Sequence, residues 1–103
     1  MERKYESMII IRPDLEEKEF QEIFDKITKK IDSLGGKTLE SKVWAKDREF
    51  CYFIRSRGAE KKKFNKGLFW LIEFLLDTEK LPHLKEAMRL EERILRNIII
   101  KRG

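Results

Sequence analysis

Residues 68–76, Leu-Phe-Trp-Leu-Ile-Glu-Phe-Leu-Leu, place eight apolar side chains around one charge, Glu73. Gly67 opens the run and Asp77-Thr78 closes it. A membrane crossing needs about 20 consecutive apolar residues, so the run is too short to be one. Bulky and aromatic residues bounded by turn formers read as a central strand covered on both faces; a buried helical segment is the alternative at this length. Whatever else the chain forms must cover that strand.

The remaining elements follow from local pattern. Residues 5–12, Tyr-Glu-Ser-Met-Ile-Ile-Ile-Arg, are apolar and β-branched, and Pro13 ends them, which predicts a second largely buried strand. Asp14 with Glu17 three residues on has the spacing of a capping box. Phe20, Ile23, Phe24, Ile27, Ile31 and Leu34 then recur as one face of a long helix, with acidic residues early and Lys26, Lys29 and Lys30 late, as the helix dipole favours. Gly35-Gly36 is its stop. Residues 37–55 alternate polar and apolar as an edge strand does, and are long enough to require a bulge or bend near Ala45-Lys46-Asp47. A basic stretch from Arg55 to Lys66 is predicted as a long hairpin loop. Asp77-Thr78 caps a short helix carrying Leu81, Leu84, Ala87 and Met88, with Pro82 in its first turn. Residues 94–101 form the last strand.

Strand, helix, strand, strand, helix, strand is the order of an α+β ferredoxin-like sandwich, the split βαβ fold (βαββαβ). It predicts a four-stranded antiparallel sheet with both helices on one face and the first and third strands in the middle. Those are the two most continuously apolar strands of the chain. Its 103 residues correspond to a single domain, residues 1–103.

The charge of the chain is local. With 24 Lys and Arg against 19 Asp and Glu, the net charge is +5. Arg55, Arg57, Lys61, Lys62, Lys63 and Lys66 against Glu60 give residues 55–67 the same +5, so the rest of the chain balances to zero. A concentrated basic loop implies an anionic partner. Cys51 is the only cysteine and cannot form an internal disulfide, and the short apolar run at Met8 is no signal-peptide core; both point to the cytoplasm and to no membrane.

With both helices on one side, the other sheet face meets water and should be polar. Glu73 marks that face on the third strand and brings Phe69 and Leu71 with it, sending Trp70, Ile72 and Phe74 inward. Glu6 and Arg12 likewise place Met8 and Ile10 outside, and Arg96 places Ile98 and Ile100 there. These six apolar side chains, rimmed by charge, predict a face that binds a partner protein. A register-shifting bulge or a homodimer would also account for them.

Catalytic chemistry is absent from the pattern. His83 lacks neighbours at metal-ligand spacing, and Cys51 between Phe50 and Tyr52 reads as a buried, inert thiol. Neither a Walker loop nor a dinucleotide fingerprint occurs. The turn after the first strand, Arg12-Pro13-Asp14-Leu15-Glu16-Glu17, would repel a phosphate. Lys66-Gly67 followed by Trp70 half-matches an RNA-recognition motif, but the first strand offers no exposed aromatic to stack a second base. The expectation is a protein with no enzymatic activity, cofactor, metal or small-molecule substrate.

Four stretches in order and spacing resemble one family. They are Tyr5-Glu6 leading to Arg12-Pro13-Asp14; Gly35-Gly36-Lys37; Trp44 followed by Phe50-Cys51-Tyr52-Phe53-Ile54; and Met88-Arg89-Leu90 leading to Ile94-Leu95-Arg96-Asn97-Ile98-Ile99-Ile100-Lys101. Together they are similar to the family of the sixth protein of the bacterial small ribosomal subunit. The resemblance implies a non-enzymatic subunit in the cytoplasmic ribosome, binding small-subunit ribosomal RNA jointly with the eighteenth protein of that subunit. It also implies RNA contacts at Arg3, Lys4 and Tyr5 and at Arg89, Arg93 and Arg96, beside the basic loop's Arg55, Arg57, Lys61, Lys62 and Lys63. The alternative is a ferredoxin-like regulatory or homodimerisation module without RNA, which leaves the localised charge unexplained.

Overall fold

A computed structural model describes residues 1–55 and 63–102, without the side chains of residues 47 and 50–55. The described residues form β1 (Glu2–Ile11), α1 (Glu17–Ser33), β2 (Lys37–Arg55), β3 (Lys63–Asp77), α2 (Leu81–Leu90) and β4 (Ile94–Arg102). The sheet is antiparallel with strand order β2-β3-β1-β4. The apolar strands β3 and β1 hold the centre, and the polar β2 is an edge. This is the ferredoxin-like arrangement that the pattern predicts.

Parity along β3 divides the molecule into its two sides. Trp70, Ile72, Phe74 and Leu76 are buried against Ile23, Ile27 and Ile31 of α1 and Leu84 and Met88 of α2, so both helices lie on one face. Burying a side chain of this size contributes about 1.5–3 kcal/mol. Trp70 also donates its indole N–H to Ser41 Oγ at 2.7 Å, which ties edge strand β2 to the core. Tyr5 stacks on Phe74 in the same layer, with ring centroids 5.6 Å apart.

Both helix starts lie later than the residue pattern predicts, for one reason. Asp14 does not cap α1, because its carboxylate accepts two hydrogen bonds from the Arg12 guanidinium at 2.9 and 3.1 Å. The capping box instead uses Glu16 and Glu19, with the Glu16 N–H donating to Glu19 Oε2 at 3.0 Å. Asp77 is similarly engaged: it accepts from the Glu79 N–H at 2.9 Å and from the N-terminal amine at 3.2 Å, and α2 begins after Lys80. At the end of α1, the Gly36 N–H reaches Ile31 O and the Gly35 N–H reaches Asp32 O, a Schellman closure with Gly35 at φ 81°.

The β2–β3 hairpin departs most from expectation. Residues 63–67, assigned to a loop by sequence, continue β3, and Arg55 is paired with Lys63. The expected bend near residues 45–47 is present as a register slip between Ala45 and Arg48, with further slips at Thr38/Glu40, Val43/Ala45 and Glu49/Ile54. Repeated bulging on an exposed, charged strand guards a sheet edge against adventitious pairing.

Candidate partner and nucleic-acid interface

The uncovered face is read row by row from the strand register. One row runs Lys42, Leu71, Met8, Ile98; the next runs Glu40, Glu73, Glu6, Ile100. Ile98 is 54% exposed and Ile100 50% exposed, large values for isoleucine in a strand, while Met8, Leu71 and Phe69 are half-buried. Across the second row three carboxylates stand side by side. Arg102 relieves Glu6 at 2.9 Å and Lys4 relieves Glu73 at 3.6 Å, so the rim of the patch is ion-paired.

Ile10 corrects the expectation. It lies on the uncovered face but is only 8% exposed, because Phe64, Phe69 and Leu95 pack around it. Phe64 belongs to the part of β3 read as a loop, and the Arg12 guanidinium stands 5.0 Å from its ring centre. Of the six apolar side chains expected on this face, the most accessible are therefore Ile98 and Ile100 on β4, flanked by Met8 and Leu71.

The basic positions separate into distinct groups. Arg3 and Lys4 lie at one end of the sheet, beside Arg102 on β4. Arg96 lies opposite Ile10 near the other end, six residues along β1 from Lys4, or about 20 Å at the rise of a strand. Arg96 and the exposed Lys63 share that second end with the base of the hairpin. Arg57, Lys61 and Lys62 lie outside the described residues, as does the side chain of Arg55 and that of Cys51.

Two residues given RNA roles by resemblance are held internally. Tyr5 is 4% exposed within the core and has no ring face available for a base. Arg93 is bound to Glu91 at 2.8 and 3.0 Å and to Glu22 at 3.2 Å. Glu91 is 5% exposed, and its hydrogen bonds from Arg93, followed by that from Lys26 at 3.0 Å, hold its carboxyl down at about 2 despite burial. Arg93 in turn is held above its ordinary value, chiefly by the hydrogen bond to Glu91. This cluster locks the α2–β4 turn onto α1. Arg89 is exposed on α2 and paired with Glu86.

Among the described residues no group of three His, Cys, Asp or Glu side chains is placed to hold a metal, and no helix is long and apolar enough to cross a membrane.

The family model described as ribosomal protein S6 matches residues 4–101, nearly the whole chain. The chain belongs to the ribosomal protein S6 family. It is 34% identical over 97 residues to the small ribosomal subunit protein bS6 of Dictyoglomus turgidum, covering 94% of this chain and 92% of that one. It is 27% identical over 100 residues to the bS6 protein of Heliobacterium modesticaldum, covering 97% and 96%. The crystal structure of 30S ribosomal protein S6 from Thermotoga maritima superposes with a TM-score of 0.84 at 32% identity, covering 99% of this chain and 89% of that one. S6 proteins are structural components of the cytoplasmic small ribosomal subunit of bacteria, not enzymes.

Two features of this S6 chain escaped sequence reasoning. Trp44 and Arg48 meet on the uncovered face, with the guanidinium 4.6 Å from the indole centre. The signal was a tryptophan in a strand of otherwise polar alternation. Glu91 gave none, since one acidic residue of Glu91-Glu92 is buried by tertiary packing alone.

Proposed function

We propose that this S6-family chain binds small-subunit ribosomal RNA jointly with a neighbouring protein, the eighteenth of that subunit, through two separate surfaces. The observation that carries the reading is the division of the chain. Aliphatic area is exposed at Ile98 and Ile100 on the β4 side of the uncovered face, while the net charge of +5 is contained in residues 55–67 of the hairpin. Covering apolar surface is worth roughly 25 cal/mol per Å², which a protein partner gains and phosphate oxygens do not. Lysines concentrated in residues 55–67 release counterions from a nucleic acid, which gives affinity without a shaped pocket. Lys4 and Arg102 serve first to neutralise the acidic row at the rim, and Arg93 serves the fold.

Titration calorimetry of the full chain with the purified eighteenth protein tests the protein surface. Ile98→Asp leaves the core intact, since the side chain is half exposed on an edge strand, and it should abolish the binding heat. Undiminished binding by the variant would place the interface elsewhere. The competing homodimer reading predicts instead a dimer of the isolated chain that Ile98→Asp dissociates, which sedimentation would detect.

A further inference from the structure

Two bulges on β2 bring together three side chains that the proposed protein surface does not require as a set. Val43 stands opposite Trp70 and Ala45 opposite Phe69, so Trp44 is an extra residue between two consecutive positions of β3. Bulges re-aim side chains, and here Trp44 turns to the uncovered face beside Phe69, with ring centroids 5.8 Å apart at 49°. The next slip, between Ala45 and Arg48, brings the Arg48 guanidinium 4.6 Å from the Trp44 ring centre and 6.0 Å from that of Phe69. Trp44 remains 48% exposed and Arg48 is exposed, so the stack has a solvent-facing end.

We propose that Trp44, with Arg48 and Phe69, is a stacking platform for an unpaired nucleobase of the RNA. The proposal rests on the RNA-binding reading above and adds a specific subsite to it. An indole with a guanidinium against it offers π-surface and positive charge at one point, and an unpaired nucleotide carries both a π-face and a phosphate. An aliphatic partner side chain would gain from the indole but not from the cation. The platform lies on the strand that leads directly into residues 55–67, where the net positive charge is concentrated. It is also separate from the exposed isoleucines: β2 and β4 are opposite edges of the sheet, three strand spacings or about 14 Å apart. A base and a protein can therefore occupy the face together.

The chain has two tryptophans, and Trp70 is buried, so Trp70→Phe leaves Trp44 as the only indole emitter. This chain is titrated with deproteinised small-subunit ribosomal RNA, with filter retention reporting binding in parallel. Stacking on a base quenches Trp44 emission as the RNA is retained, and a perfect RNA duplex leaves the emission unchanged. In the otherwise wild-type chain, Trp44→Ala weakens retention about 5- to 150-fold, the range base–aromatic stacking supplies, while Trp44→Phe keeps most of it. RNA retained with Trp44 emission unchanged would overturn the platform and leave the RNA-binding reading standing. No retention under any salt condition, with the eighteenth protein present as well as without it, would overturn both. An emission shift produced by the eighteenth protein alone, without RNA, would assign Trp44 to the protein interface instead and overturn the proposal.

Discussion

Ser7 is fully buried in β1 between Ile72 and Ile99 of its neighbouring strands, and its hydroxyl has no hydrogen-bond partner among the described residues. An unsatisfied buried hydroxyl costs about 1–3 kcal/mol, so Ser7→Ala is expected to raise stability by about 1 kcal/mol in a urea titration. A loss of stability would show that the hydroxyl finds a partner. The paired glycines of the α1 stop make opposite demands. A methyl group on Gly36 would meet Leu75 O at 2.5 Å and Ile31 Cγ2 at 2.9 Å, whereas nothing lies within 4 Å of the corresponding position on Gly35. Gly36→Ala should therefore cost more than the roughly 1–2 kcal/mol of a backbone substitution at positive φ, because the obstacle includes a backbone carbonyl of the central strand. Gly35→Asn should be nearly neutral. Trp70→Ala should cost about 3–5 kcal/mol and Phe69→Ala clearly less, as their inward and outward settings require. That parity was readable from Glu73 alone. The same parity on β1, with Glu6, Met8 and Ile10 on the open side, already sets Tyr5 inward with Ser7 and Ile9. Its RNA role came from resemblance, and its ring is buried in the core of the isolated chain.

At the level of elements, order and type were legible because hydrophobic period and turn residues agreed. Boundaries slipped where a side chain found a better partner than the local pattern offers, as Asp14 did with Arg12. The start of β3 was illegible for another reason: Lys63-Phe64-Asn65-Lys66 has no strand periodicity, and its pairing with β2 comes from the length of the partner strand. Glu91 makes the α2–β4 turn sensitive to acid. Its folded value near 2 lies below the ordinary 4.5, so its contribution is complete above about pH 4.5 and disappears as pH falls toward 2. That displacement corresponds to at most about 3 kcal/mol, less for the solvent that reaches Lys26 and Arg93. Glu91→Gln should lower stability at pH 7 and flatten the acid limb of a stability–pH curve, and an unchanged limb would assign acid sensitivity to other carboxylates. For the hairpin, changing Lys61, Lys62 and Lys63 together to Ala should leave the folded state alone and flatten the slope of log affinity for RNA against log salt by roughly 2. An unchanged slope would mean these lysines are only solvated.

For the molecule as a whole, the ferredoxin-like fold assigns each region a separate task. The helices close one side of the sheet, the guarded edge strand carries the hairpin, and the unguarded side of the open face toward β4 keeps Ile98 and Ile100 in water. A chain that binds RNA and protein on different surfaces should show linkage between them only when both surfaces are intact. The most direct measurement is the affinity of the chain for small-subunit ribosomal RNA at fixed salt, with and without the eighteenth protein, for the wild type and for Ile98→Asp with Ile100→Asp. The wild type should bind RNA more tightly when the partner is present. The double variant should keep the RNA-only affinity and lose that enhancement. An enhancement equal in both chains, or absent from the wild type, would contradict joint binding through the uncovered sheet face.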